Sequence, residues 1–457
     1  MEDSGAAARI MGGLAANIAG IGVTMIIQLV SVPVLLAAWG VPTYGEWLIL
    51  SAVPTYVALS DLSFSSVAGN SMVMLVAQGK RDNAVMLGRH LWSIVTVLTG
   101  AVVLAAIVIA NIFGGVFGRG AAISASEAQI VLLALFLQVA VGNQYGVLDA
   151  WYRAGGRYPL SSAFRNLGRL LEFGALMGAV GLGARPAAAA VAFLVGSVAG
   201  FAISFVVLRR TVPWSTFVPE LPDAKTFREL LVPGLAFMAF PAGSALSLQG
   251  FTIAVGGTLG ASAVVVFSTT RTITRMGLLA MSAINNSITP ELSRSIGGGR
   301  LNEARAILRR SVQLSLAVSS SLVLGLALFG VAIIRWWTHG LVDPPVALLL
   351  VLLLVIVANS TWFTLSAAIM ATNRHRRLAV VYVLGTTASL AAAVPLGSAF
   401  GLAGAASALL AIDIAMIGYV FPAALRVVHD APVVFLRAVF DVRGAVRSAV
   451  STARSVT

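Results

Sequence analysis

Apolar runs long enough to cross a bilayer follow one another twelve times along this chain, near 10–38, 43–67, 88–113, 127–148, 160–183, 186–208, 231–256, 259–288, 310–337, 344–369, 377–399 and 402–424. About 20 apolar residues wound as a helix span the hydrocarbon layer. A backbone in lipid has to satisfy its own hydrogen bonds, so runs of this length have to be helices. Charged residues make up only 10% of the chain, too few to surface a water-soluble protein of 457 residues. The expectation is an all-α polytopic membrane protein. The first run is too long for a cleavable leader and is expected to stay. The chain has no cysteine, which excludes disulfides and thiolate metal sites. His90, His339, His375 and His429 stand far apart, so no metal site is expected.

Basic residues alternate from one connection to the next. Arg9 precedes the first run, and Lys80, Arg81 and Arg89 follow the second. Arg153, Arg157, Arg165 and Arg169 follow the fourth; Arg209, Arg210, Lys225 and Arg228 the sixth; Arg294, Arg300, Arg305, Arg309 and Arg310 the eighth. Arg374, Arg376 and Arg377 follow the tenth, and Arg426, Arg437, Arg443, Arg447 and Arg454 come after the last. The opposite connections hold only Arg119, Arg185 and Arg335. The positive-inside bias therefore predicts an even number of spans with both termini in the cytoplasm. Outer connections such as GVPT and GGTLG are too short to fold into a domain. The stretch from Val433 to Arg454 interleaves apolar residues with arginines, fitting either a helix lying on an anionic leaflet or a disordered tail.

An internal repeat runs at an offset of 220. Gly40 aligns with Gly260, and GKRDNAVMLGR (79–89) aligns with GRLNEARAILR (299–309). The chain thus reads as two six-helix lobes in the same orientation, as in transporters built from parallel repeats. The division expected is 1–215 for the first lobe, 216–424 for the second and 425–457 for a basic tail.

Two basic residues remain unassigned by the loop pattern. Arg271 and Arg275 stand one helical turn apart in TTRTITRMGLLAMSAI. At about 1.5 Å per residue, Arg275 lies roughly 22 Å beyond Gly260 and roughly 28 Å before Arg294. Both sit too deep to reach a headgroup layer, so they have to face protein or a water-filled cavity. The functional reading is a basic cavity accepting an anionic head group; the plainer one is an ion pair with a neighbouring helix. In the repeat register they correspond to Ser51 and Thr55, so the architecture itself does not demand arginine there. Asp61, Glu172 and Asp413 are the acids within the runs. Glu172 has Arg169 three residues before it and Arg165 seven before, which fits either ion coupling or an internal salt bridge. Asp61 and Asp413 fit charge pairing with the arginines or ion coupling. Gln28, Gln138, Asn143, Gln249 and Asn359 suit sugar hydroxyls, or ordinary interhelical hydrogen bonds. Pro33, Pro54, Pro241 and Pro395 mark expected kinks. No phosphate-binding glycine loop, metal cluster or nucleophile–base motif is present, so a transporter rather than an enzyme is expected.

The opening LVSVPVLLAAWGVPTYGEWLILSAVPTYVALSDLSFSSVAGN resembles the first two helices of bacterial polysaccharide flippases of the Wzx type. The second half adds LGASAVVVFSTTRTITRMGLL and SITPELSRSIGGGRLNEARAILRR. That family belongs to the multidrug/oligosaccharidyl-lipid/polysaccharide (MOP) exporter superfamily, with the MATE antiporters and the peptidoglycan-precursor flippase. The resemblance covers the whole chain and implies two six-helix lobes around a central cavity. Its implied cargo is an undecaprenyl-diphosphate-linked oligosaccharide moved from the cytoplasmic to the periplasmic leaflet of the inner membrane. Related flippases carry essential cavity arginines, one on the eighth helix, the position Arg271 matches. Others lie on the first two helices, where this chain has none, so the peptidoglycan precursor itself is not the cargo implied.

Candidate substrate contacts are therefore Arg271, Arg275, Gln28 and Gln249, and candidate ion-coupling or charge-pairing groups are Asp61, Glu172, Asp413 and Arg169. No cofactor is expected beyond a coupling proton or sodium ion. Expected partners are the lipid-linked oligosaccharide, membrane lipid and, by the resemblance alone, polysaccharide polymerase or assembly proteins. Nucleic acid is not among them. A MATE-like cation-coupled drug antiporter is the alternative; cation sites need carboxylates or aromatic cages, and Asp61 and Asp413 would supply the former.

Overall fold

The computed structural model describes residues 2–58, 62–117, 122–372 and 376–441, and among these the chain is helical with no strand. The helices are α1 (Glu2–Ala58), α2 (Leu62–Ala77), α3 (Arg81–Phe117), α4 (Ala125–Ala154), α5 (Tyr158–Gly181), α6 (Pro186–Thr211) and α7 (Ala224–Ala245). A π-helical turn, Leu246–Gly250, leads into α8 (Phe251–Leu259). They continue as α9 (Ala261–Gly297), α10 (Leu301–Trp337), α11 (Val346–Ala371), α12 (Arg376–Val428) and α13 (Pro432–Phe440).

Seven of these helices are long and apolar enough to cross a membrane by themselves. Two of the seven hold two spans each. α1 reverses at Gly40 (φ 73, ψ 170) and α12 at Gly401 (φ 64, ψ −149), positive-φ conformations that only glycine adopts without strain. A bent span, Ala224–Leu235 with Phe240–Leu259, turns by 48° beside Pro241. α5 and α9 complete the twelve; their apolar surface is interrupted by Arg165, Arg169 and Glu172 in one and by Arg271 and Arg275 in the other. The end of α1 and the start of α2 both fall in the second apolar run. The chain is thus a polytopic helical membrane protein.

One expectation changes. The GVPT connection is no loop, because helix resumes directly after Gly40. Pro33, Pro54 and Pro395 stay within continuous helix, and Pro241 adjoins the 48° bend. The basic runs ending in Arg89 and Arg310 are the opening turns of α3 and α10.

The repeat is visible in the backbone. Gly260 has φ 87 and ψ 171, close to Gly40, and Gly79 (φ 74) matches Gly299 (φ 71). α3 and α10 both run for 37 residues and start and end 220 residues apart.

Two compact units result: Met1–Gly256 with Gly260–Val265, and Gly257–Leu259 with Val266–Thr457. In the first, Trp151 of α4 is wholly buried against α3 at Gly88, where an added Cβ would stand 2.2 Å from the indole. Trp214 and Phe217, from the segment after α6, pack on Trp151 at 5.3 and 6.3 Å. Arg81 covers Trp214 at 4.6 Å, within cation–π range. At the other end Glu46 accepts hydrogen bonds from the backbone N–H groups of Ala122 and Ile123, each at 2.7 Å. The second unit is cored by Leu348, Leu352, Leu353, Ile356, Trp362 and Leu365 of α11.

Candidate functional site

The proposed site residues fall into two groups, one in each unit. Gln28 and Gln249, with Arg169 and Glu172, line one cavity of about 450 Å³ in the first unit. Its wall is polar, with Thr24, Ser31, Ser51, Thr55 and Gln138, and also aromatic, with Trp47, Phe173 and Phe193. Glu172 accepts a hydrogen bond from Gln138 Nε2 at 3.2 Å. The Arg169 guanidinium is exposed and donates to Thr24 Oγ1 at 3.0 Å. Among the described residues no ion pair within 4 Å joins Arg169 to Glu172, so the internal salt bridge is replaced by a link to α1 and an amide link to α4. A cavity with amides, hydroxyls, one carboxylate, one guanidinium and flat apolar walls can hold a polyhydroxylated molecule through many modest contacts.

Asn143 stands apart from that group. It lines a smaller cavity of about 140 Å³ with Tyr145, Asp149, Arg153 and Arg165. There Asp149 pairs with Arg153 at 2.8 Å and accepts from Ser161 Oγ at 2.5 Å.

In the second unit, Arg271 and Arg275 project from α9, both partly buried, with the Arg271 guanidinium 5.8 Å from the Phe267 ring. Arg271 lies within electrostatic reach of Arg275, of Tyr382 and of Asp413, the last two on α12. Asp413 is buried at 5% exposure, and its Oδ1 accepts from Asn359 Nδ2 at 2.9 Å and from Trp362 Nε1 at 2.7 Å, both on α11. Asn359 is therefore engaged with a carboxylate. Trp362 was missed by sequence reasoning; an indole three residues beyond Asn359 is a helical neighbour of it, the one signal available. Asp61 lies outside the described residues.

The repeat connects the two groups. Ser51 and Thr55, the counterparts of Arg271 and Arg275, line the cavity of the first unit. The helical rungs that face open space in one unit carry guanidinium groups in the other.

No family model matches the chain, and no curated protein sequence does. Solved structures do: the fold is that of MOP-superfamily transporters. A multidrug-resistance MATE transporter in an inward-facing conformation is 15% identical, with a TM-score of 0.72, covering 88% of this chain and 98% of its own. The lipid II flippase MurJ, in an inward closed conformation, is 13% identical with a TM-score of 0.69, covering 93% and 89%. A MOP transporter from Pyrococcus furiosus, described as having a binding pocket of reversed polarity, is 14% identical with a TM-score of 0.56, covering 93% and 95%. At such identities the likeness establishes the fold.

Proposed function

We propose that this protein is a flippase for a polyprenyl-diphosphate-linked oligosaccharide of the Wzx kind, moving a repeat unit of O-antigen, capsule or exopolysaccharide between leaflets by alternating access. The observation carrying this reading is the placement of Arg271 and Arg275 on rungs whose repeat counterparts line a cavity. Two guanidinium groups held at membrane depth suit a doubly anionic diphosphate, which arginine can meet with paired N–H donors. The amide- and aromatic-lined cavity of the first unit suits the glycan, and the lipid tail stays in the bilayer. On this reading the membrane is the bacterial inner membrane, both termini are cytoplasmic, and polymerase or assembly proteins receive the product. Glu172 and Asp413 are the groups through which a proton or sodium gradient would act.

A cation-coupled drug antiporter is the second reading. It is favoured by Glu172 at the first cavity and by the likeness to MATE transporters.

The test is translocation of a fluorescent undecaprenyl-diphosphate oligosaccharide in proteoliposomes. Wild type moves it, Arg271→Ala does not although it inserts normally, and Arg271→Lys restores part of the rate. Full transport by Arg271→Ala removes the charge argument. Efflux of an organic cation from the same vesicles, without lipid movement, establishes the antiporter instead.

A further inference from the structure

α13 and the turn before it are fastened to the arginine-rich end of α10. Arg305 donates to the carbonyls of Val428 and His429 at 3.0 and 2.7 Å, and Arg309 binds the Asp430 carboxylate with two bonds of 2.8 and 2.6 Å. Gln313 Nε2 then donates to the Ala438 carbonyl at 2.6 Å. Phe435, at 1% exposure, and Val439 are buried beneath the helix, with Phe435 edge-on to Phe421.

These contacts fix a direction. The chain leaves α12 at Val428, reverses at His429 (φ 52) and climbs back along α10 from Arg309 toward Gln313. The apolar part of α10 starts near Arg310, so Gln313 marks the edge of the membrane-crossing part of that helix. It thus returns toward the bilayer edge.

The opposite face carries Val433, Val434, Leu436 and Phe440, all exposed, the last at 70%, with exposed Arg437 among them. Apolar groups surrounding a single arginine suit the boundary between acyl chains and anionic phosphates, where arginine reaches the headgroups while its neighbours enter the hydrocarbon. Arg443, Arg447 and Arg454 follow in the sequence, against Asp441 as the one acid, so the charge complements an anionic leaflet.

The first unit has an equivalent fastening. Arg89, 220 residues before Arg309, pairs with Glu220 at 3.4 Å, and Ser93 Oγ accepts from the Glu220 N–H at 2.7 Å. The same rung therefore holds the exit segment of the sixth span in one unit and that of the twelfth in the other. In the first unit Trp214 and Phe217 of that exit segment pack on Trp151, with Val218 and Leu221 exposed beyond them; in the second the exposed apolar groups are gathered on one face of a helix around Arg437.

We infer that α13 is an interfacial helix whose Val433, Val434, Leu436, Arg437 and Phe440 face binds the anionic membrane surface on the arginine-rich side. This stands apart from any choice of cargo.

Because the natural chain lacks cysteine, Val433→Cys, Leu436→Cys and Phe440→Cys each give one labelling site, with Lys80→Cys as a control in an exposed turn of the same side. The three are labelled with an environment-sensitive fluorophore in full-length protein in phosphatidylglycerol vesicles. They should emit as in a low-polarity setting and be quenched by lipids brominated near the headgroup, and the control should not. Arg437→Glu, added to Phe440→Cys, should reduce the quenching, and phosphatidylcholine vesicles should reduce it too. Water-like emission without lipid quenching at all three positions overturns the inference. So does quenching that follows protein density rather than brominated lipid, which would assign the face to a second copy of the chain.

Discussion

Asp413 offers a sharp test of what holds the second unit together. Its Oδ1 is the shared acceptor for Asn359 Nδ2 and Trp362 Nε1, in a residue only 5% exposed. Asp413→Leu leaves both donors without that acceptor. An orphaned donor costs about 1–3 kcal/mol in a protein interior. Interhelical hydrogen bonds in a bilayer average nearer 0.6 kcal/mol, with maxima of about 1.7, because the unfolded state in lipid also finds partners. Two donors on one buried oxygen place the loss at about 2–4 kcal/mol. Asp413→Asn retains an oxygen in the same place and both hydrogen bonds, losing only their charge assistance, so its cost should be about 1 kcal/mol. Thermal and denaturant unfolding in detergent, followed by tryptophan emission, separates the two variants, since about 1.4 kcal/mol already changes an equilibrium tenfold. Leu variants as stable as wild type would show that the three side chains do not hold α11 and α12 together. An Asn variant as unstable as the Leu variant would refute the hydrogen-bond account and assign the position to the charge that Arg271 senses.

Gly88→Ala places a methyl group against a wholly buried indole that Trp214 and Phe217 hold in place; overpacking of about 1–3 kcal/mol should outweigh the roughly 1 kcal/mol gained in helix propensity. A lower unfolding midpoint, partly recovered in Gly88→Ala with Trp151→Leu, is the expected result. At the far end of α10, Arg335 grips Asp343 with two bonds of 2.8 Å and holds its carboxyl below the usual carboxylate range. A depressed folded-state value means the contribution is present above the unfolded carboxylate range and fades as pH falls through the lower folded value. Wild type and Asp343→Asn should therefore differ by a constant amount from pH 5 to pH 9 and converge only in acid; a difference that changes near neutrality contradicts this pairing.

Much of the architecture was legible because glycine and arginine are hard to substitute where they matter. Gly40, Gly79, Gly260 and Gly299 all adopt positive φ, so the sequence repeat marks backbone geometry directly. Arg271 and Arg275 stood out because a bilayer penalises charge wherever it lies in a span. What stayed hidden was the pairing between helices. α11 is apolar on every side, so no stripe says which face meets α12, and Trp362 reads as one more apolar residue until Asp413 is beside it. The Gln138–Glu172 bond was illegible for a similar reason: 34 residues and a helical hairpin separate the two, and the nearer Arg169 was the obvious partner.

The equal spacing of the two halves also gives the protein an internal paralogue. Each residue from 40 to 117 has a counterpart 220 places on, a record of what a similar backbone environment accepts. Where the first copy has Gly88 beneath Trp151, the second has Leu308, and counting back from the ends of α4 and α11 it has Ala368 in place of the tryptophan; all four are buried. Bulk is thus divided differently between the two helices of each pair. Further variants of either half can be chosen from the other.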